Sequence, residues 1–416
     1  MRYVIIGNSA AGLSAAETIR NNDTTGEITI ISDESCPAYS RCLSTYHLGG
    51  RLPREQLFIK NQDYYKKNSF SLKYGLVTGV KTKENQLDLS TGEKIFYDRL
   101  LIASGGEPVI PEIPGVEGEG IYPLRTIADL DGIVCTLDRV KEAVILGDGL
   151  VSITTAQALL QRGVKVSVAG IAGYILAQFL DAASAAMLEA KLKDSGVNLE
   201  LKNSISEVLL DSNRQVRGVR LSDGRELPAQ LLIIAVGVRP RISFLSGSGI
   251  VCDHGILADN HLETSVPGVF AAGDAVQAAD LLRGKPLINP LWPNAVEQGG
   301  IAGANMCGMK KVYPGSCNMN SVNIAGISVI AAGITTPADS VCEEYVDDRK
   351  AYNIYNKLVF RDDRLIGFLL SGNTSNAGIL LSLLKEQNPL GAKKAELLAG
   401  RNYYAKLSGL KNISIL

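Results

Sequence analysis

Gly7, Ser9 and Gly12 stand in a Gly-x-Ser-x-x-Gly spacing directly after an apolar run, with Ala10 and Ala11 between the last two. A turn of this kind lets backbone N–H groups approach a pyrophosphate, which then rests on the N-terminus of the following helix. Gly7 permits the tight turn, Ser9 takes the place of the usual second glycine, and Gly12 lets helix pack on strand. Asp33 and Glu34 follow about twenty residues after the turn, where a carboxylate can hold a ribose diol. A second turn, Gly147-Asp148-Gly149 followed by Leu150, Val151 and Ser152, repeats the pattern about 140 residues later. Gly273 and Asp274 form a Gly-Asp turn, whose carboxylate can accept a hydrogen bond from a sugar alcohol. Cys42 lies at the start of a short segment closed by Gly49 and Gly50. Two readings of it stand: a small buried residue, or a thiol whose thiolate form a helix start favours.

The elements that must position these residues are legible in outline. Residues 2–6 read as a strand, 13–19 as part of a helix and 27–32 as a second strand. The segment 39–48 reads as a short helix after Pro37. Residues 69–104 alternate in the strand manner, with a hairpin-like turn at 90–92, and end in the small residues Ala103, Ser104 and Gly105. A glycine-bearing strand end of this sort lets main chain pass close to a ligand. Prolines and glycines between 108 and 120 read as a domain crossing. After the second turn, 153–162 reads as a helix and 164–169 as a strand. The run 230–240, which contains Gly237, mirrors the strand that ends at Gly105. Pro293 and Asn294 start a helix that reaches about residue 306, and its N-terminus would stabilise negative charge on a group facing it. From about residue 322, strands at 324–332, 351–360 and 365–370 alternate with a helix at 376–384, and no catalytic constellation is found there.

Composition narrows the function. The chain has 416 residues, 46% of them hydrophobic and 20% charged, which suits an ordinary globular protein of two or three domains. A formal net charge of −1 without a basic block gives nucleic-acid binding no support. No apolar run reaches membrane-spanning length and no signal peptide is read before the opening strand, so no membrane insertion and a cytoplasmic setting are expected. The 7 cysteines are scattered without Cys-x-x-Cys pairs, and the 3 histidines have no ligand spacing, so no metal site is expected.

The order of these motifs resembles the FAD-dependent pyridine nucleotide–disulfide oxidoreductase superfamily over residues 1 to about 310. Within it, residues 292–306 and Leu124-Arg125-Thr126 are similar to the NADH oxidase, coenzyme A–disulfide reductase and rubredoxin or ferredoxin reductase subgroup. The resemblance implies an α/β fold: two Rossmann-like dinucleotide-binding domains and an α+β C-terminal domain. It implies a discontinuous FAD domain at 1–118 and 246–321, an NAD(P) domain at 119–245, and an interface or dimerisation domain at 322–416. FAD would lie on Gly7, Ser9, Ala10, Ala11 and Gly12, with Asp33 or Glu34 at the adenosine ribose and Arg41 and Cys42 nearby. Ala103, Ser104 and Gly105 would line the FAD. Gly273 and Asp274 would hold its ribityl chain, and the stretch from Val296 to Gln298 would face its pyrimidine edge. NAD(H) would use Gly147, Gly149, Leu150, Val151 and Gly237.

This sequence departs from the family pattern in three places. Cys36 and Cys42 are separated by five residues where a dithiol relay needs four. Thr154 replaces a usual glutamate near the nicotinamide, and Gly170 replaces the usual ribose-binding acid, while no arginine or lysine stands there for a 2′-phosphate. Cys42 falls on the redox-active cysteine of the oxidase pattern but on a proline of the rubredoxin reductase pattern, which Tyr39, Arg41 and Ser44 fit better; Thr45 replaces a lysine often found after that serine. The leading expectation is therefore an oxidoreductase passing electrons between NAD(H) and an iron–sulfur or other redox protein. It would be an oligomer or the flavoprotein subunit of a larger complex, as in aromatic 2-oxoacid or aldehyde oxidoreductases. One alternative is an NADH oxidase, peroxidase or coenzyme A–disulfide reductase with Cys42 as its catalytic residue. A second is an FAD-retaining binding or assembly subunit whose nicotinamide site has decayed.

Overall fold

Tyr3, Val4, Ile5 and Ile6 are β-favouring and almost wholly buried, as a central parallel strand covered on both faces requires. In the computed structural model, which describes residues 1–398 except 339, Arg2–Ile6 is the middle strand of a five-stranded sheet. The order is Val269–Ala271, Arg99–Ile102, Arg2–Ile6, Glu27–Ser32 and Phe70–Tyr74, and every neighbouring pair is parallel. The opening helix, Ala10–Asn22, buries Ala11, Leu13, Ala15, Ala16 and Ile19. It packs along a second helix, Trp292–Met306. The two approach closely because Gly299 has no side chain: a Cβ there would lie 2.1 Å from the Ala11 carbonyl oxygen. The Ser14 hydroxyl also donates to the Val296 carbonyl at 2.7 Å.

These elements belong to one compact unit, made of Met1–Pro111, Pro123–Cys135 and Gly237–Ser316. The other unit comprises Glu112–Tyr122, Thr136–Val236 and the described residues from Cys317. It contains a second parallel sheet with Val197–Leu201, Lys165–Gly170, Glu142–Leu146 and Leu231–Ile234 in that order. Its glycine turn leads into the helix Leu150–Gln161. The same unit holds a five-stranded antiparallel sheet ordered Met319–Ile324, Ile327–Gly333, Arg364–Ser371, Ile354–Arg361 and Glu343–Arg349. Within this unit the two sheet regions are joined by polar contacts: Thr335 Oγ1 donates to Phe179 O at 2.9 Å, and the Tyr355 hydroxyl to Asp181 at 2.7 Å.

Several local expectations change. The segment 39–48 is not one helix but a 3-10 turn, Arg41–Leu43, followed by the one-turn helix Ser44–Leu48. Tyr39 lies outside both because it makes an isolated bridge to Phe58. The strand Glu343–Arg349 is missing from the sequence reading, since five of its seven residues are charged. Such an edge strand carries no apolar alternation to reveal it. The part of the expected C-terminal domain beyond 398 lies outside the described residues.

Candidate functional site

The opening turn is fixed from two sides. Gly7 donates its N–H to Ile31 O at 2.8 Å and adopts φ +118°, a conformation that side chains disfavour. A Cβ on Gly7 would sit 2.1 Å from the Ala103 carbonyl oxygen, and one on Gly12 would sit 1.9 Å from the Gly7 carbonyl oxygen. Ser9 is the N-cap of the opening helix, yet its side chain caps nothing. Its hydroxyl instead accepts from Arg41 Nη1 at 3.1 Å. The helix start thus keeps its N–H groups free of a side-chain cap and has a guanidinium beside it, the donor set an anion needs.

The two acidic residues after Glu27–Ser32 behave differently. Glu34 is committed: it pairs with Arg41, and its other oxygen accepts from the Tyr39 hydroxyl at 2.8 Å and from the Ile127 N–H at 3.1 Å. The Arg41 guanidinium also lies over the Tyr39 ring, 4.8 Å from its centroid. Burial, with Glu34 adding to it, pushes the Tyr39 hydroxyl far above its ordinary range, so it remains a donor. Asp33 is half-exposed and is held by Arg241. Ser104 Oγ donates to Arg241 O at 2.7 Å, which ties the end of the Arg99–Ile102 strand to the same arginine.

Gly273 opens a short 3-10 turn, and its N–H donates to Gln298 Oε1 at 2.8 Å. Gln298 is buried and donates onward to the Tyr313 hydroxyl at 3.1 Å. Asp274 is ion-paired with Arg125 at 2.8 Å, and Arg125 Nε also donates to Gly106 O at 3.0 Å. Arg41 Nε in turn donates to Arg125 O at 3.2 Å. A single network therefore links Ser9, Arg41, Glu34, Arg125 and Asp274. In the sequence Arg125 stands only within the Leu124-Arg125-Thr126 motif; its pairing with a residue 149 positions away has no local signal. Val296 is exposed on the first turns of the helix Trp292–Met306, whose start has Pro293 and no side-chain cap.

Cys42 lies in the 3-10 turn and the residue is exposed, so it is not the small buried residue of one sequence reading. Although the residue is exposed, partial desolvation of the thiol pushes it above its ordinary range; hydrogen bonds from Ser40 and its own backbone and the charge of Arg125 oppose this, and Asp274 adds to it. This is the opposite of the thiolate-favouring effect expected of a helix start. One turn of 3-10 helix has little dipole to offer, and desolvation outweighs it.

In the other unit the glycine turn repeats closely. Gly147 donates to Ala169 O at 2.7 Å with φ +126°, and a Cβ on it would sit 2.3 Å from Ala235 O. Gly149 is the N-cap of Leu150–Gln161 and offers no side-chain cap either. Ser152, at the third glycine's place, is fully buried and donates to Ala235 O at 3.3 Å. Thr154 turns its hydroxyl back to Leu150 O at 2.9 Å. Leu150 begins the helix and Val151 is exposed at its first turn. Gly237 comes three residues after the strand Leu231–Ile234 and falls within the first unit.

These residues fit a dinucleotide at the opening turn. A peptide carbonyl fills the space a Cβ at position 7 would need, the helix start has no side-chain cap, and Arg41 and Asp33 supply a cation and an acceptor. Among the described residues, no helix is long and apolar enough to cross a membrane. Nor does any group of three or more His, Cys, Asp or Glu among them suit a metal ion.

Comparison with known proteins now defines the class. A profile of the pyridine nucleotide-disulphide oxidoreductase family matches residues 1–299, and one of the rubredoxin NAD+ reductase C-terminal domain matches residues 319–388. The chain belongs to the pyridine nucleotide-disulphide oxidoreductase family. It is an FAD-dependent oxidoreductase of the kind that uses NAD(H), with an α/β fold and an added C-terminal sheet. Among its relatives is the NADH-dependent phenylglyoxylate dehydrogenase subunit epsilon of Aromatoleum evansii, 28% identical over 96% of this chain and 94% of the relative. The nitrite reductase (NAD(P)H) of Bacillus subtilis is 30% identical over 93% of this chain, which spans only 47% of that relative's length. The structure of NADH:rubredoxin oxidoreductase from Clostridium acetobutylicum is similar with a TM-score of 0.79 and 25% identity, covering 96% of this chain and 98% of the other.

Proposed function

We propose that this protein passes reducing equivalents between NAD(H) and a one-electron redox protein, such as an iron–sulfur protein or a rubredoxin, and that it serves as a flavoprotein subunit or oligomer in the cytoplasm. The observation that carries this reading is the combination at the opening turn: an intact nucleotide cradle close to Cys42, with no second cysteine at the four-residue spacing a dithiol relay needs. A dithiol enzyme needs a second cysteine and a ready thiolate at that place. The likeness to a dehydrogenase subunit over nearly its full length supports a place in a larger complex.

In this reading FAD occupies the first unit, Met1–Pro111, Pro123–Cys135 and Gly237–Ser316, which overlaps most of the domain expected at 1–118 and 246–321. Ala10, Ala11 and Gly12 present backbone N–H groups to its pyrophosphate, and Arg41 contributes positive charge beside them. Asp33, rather than the already committed Glu34, accepts from the adenosine ribose. Ala103 and Gly105 line the cofactor with main chain. Asp274, oriented by Arg125, receives a ribityl hydroxyl, and Val296 to Gln298 stand at the pyrimidine edge under the start of a helix whose dipole favours negative charge there. Bound FAD supplies the conversion between two-electron hydride chemistry and one-electron exchange. NAD(H) uses the Gly147–Val151 turn, Thr136–Val236 supplies its domain within the expected 119–245, and the sheet that begins at Met319–Ile324 serves contacts with other subunits.

The experiment is steady-state reduction of a rubredoxin or ferredoxin by NADH, run beside oxygen, peroxide and coenzyme A disulfide. Turnover of the iron protein that survives Cys42→Ser supports the proposal. Turnover only of disulfide or peroxide, abolished in that variant, would replace it with the cysteine-based reading.

A further inference from the structure

The strand Lys165–Gly170 ends without the carboxylate that ordinarily holds the adenosine ribose, yet the space is not vacant. A Cβ placed on Gly170 would lie 2.5 Å from Asp148 Cβ and 2.6 Å from Asp148 Oδ2. Asp148 comes from the glycine turn itself, and its side chain fills the volume that a residue 170 side chain would take. Positions 148 and 170 therefore exclude one another: only one of them can carry the acid. Asp148 is held in place, because Oδ2 accepts the Ala172 N–H at 2.9 Å and its backbone oxygen accepts the Leu176 N–H at 2.9 Å. A carboxylate has about four acceptor positions, so one bond to Ala172 leaves capacity for a diol. Beside it Ile171 is 79% exposed, an apolar surface directly after the strand end.

We infer that Asp148 does the work of the missing strand-end acid, accepting the 2′-hydroxyl of the adenosine ribose and excluding a 2′-phosphate by like charge. This rests on reading the Gly147 turn as the nicotinamide nucleotide site. It also explains why Gly170 is a glycine: the acid has moved to the turn. One group opposes it. Lys202 donates its N–H to Ala172 O at 3.0 Å, and its Cε lies 3.4 Å from where a Gly173 Cβ would be. It is the cation a 2′-phosphate would find, so the test must include it.

The test is calorimetric titration of the FAD-loaded protein with ADP-ribose and with its 2′-phosphorylated form, neither of which reacts with the flavin. Wild type is expected to prefer ADP-ribose. Asp148→Asn keeps an acceptor for Ala172 and removes the charge, so the preference should fall about tenfold, the scale of one charge-assisted hydrogen bond. The exchange Asp148→Gly with Gly170→Asp should restore it. An unchanged preference in Asp148→Asn, or an equal loss for both ligands, overturns the inference and leaves the nicotinamide site standing. So does a wild-type preference for the phosphorylated form that Lys202→Ala removes. Absence of binding by either ligand to wild type overturns the nicotinamide reading itself.

Discussion

The turns at Gly7 and Gly147 are nearly superposable in their backbone terms and differ in what surrounds them. Both glycines have a positive φ near +120°, both donate to the neighbouring strand at 2.8 and 2.7 Å, and both face a carbonyl that a Cβ would reach at 2.1 and 2.3 Å. Five positions further on they diverge. A Cβ on Gly12 would meet the Gly7 carbonyl at 1.9 Å, whereas Ser152 holds a full side chain in a buried, hydrogen-bonded position. The acids diverge too: Asp33 follows its strand, while Asp148 sits in its turn. The backbone of such a turn is set by strand–helix connection, and ligand chemistry is set by side chains that can move from one position to another.

Breaking both turns at their first glycine gives the largest effects. Gly7→Val and Gly147→Val should each cost about 3 kcal/mol, from the unfavourable φ and the occupied space. Thermal unfolding should show comparable losses, but only Gly7→Val should be purified without flavin absorbance. Exchanging the third positions comes next. Gly12→Ser should cost about 2 kcal/mol by forcing helix from strand, while Ser152→Gly should cost about 1 kcal/mol through one buried hydrogen bond and added chain freedom. Denaturant midpoints at equal m-values would check the order. Arg125→Met frees Asp274 and should weaken FAD retention about tenfold, measured by flavin release during dialysis, with no matching loss at the second turn.

The smallest effect concerns Cys42. A thiol pushed above its ordinary range has less thiolate than a free thiol at any pH below its raised value. Its alkylation should therefore run slower than that of glutathione near pH 7 and catch up only as pH rises through that value. Mass-spectrometric labelling rates across pH would show it; faster labelling than glutathione at neutral pH would restore Cys42 as a nucleophile.

Much of this was legible in the sequence because it depends on local spacing. Gly7 and Gly147 announce their turns through the apolar strands before them, and the helix Trp292–Met306 begins where its proline and asparagine predict. What stayed hidden depends on residues far apart in the chain. Gly299 is a glycine because Ala11 O passes beneath it, and Asp274 is held by Arg125 across 149 positions. Gly170 reads as a missing acid, since nothing in the one-dimensional pattern says that the Asp148 side chain occupies the space beside it. The rise in the Cys42 thiol escaped for the same reason: desolvation is a property of the packed site, while the helix-start argument sees only neighbours in sequence.

The division of labour between the two turns is tested most directly by anaerobic titration of the purified protein with NADH while the flavin absorption band is followed. FAD should be bound as isolated, stoichiometric NADH should bleach the band, and an oxidised iron–sulfur protein should restore it. Retained FAD that NADH neither binds nor bleaches would contradict that division.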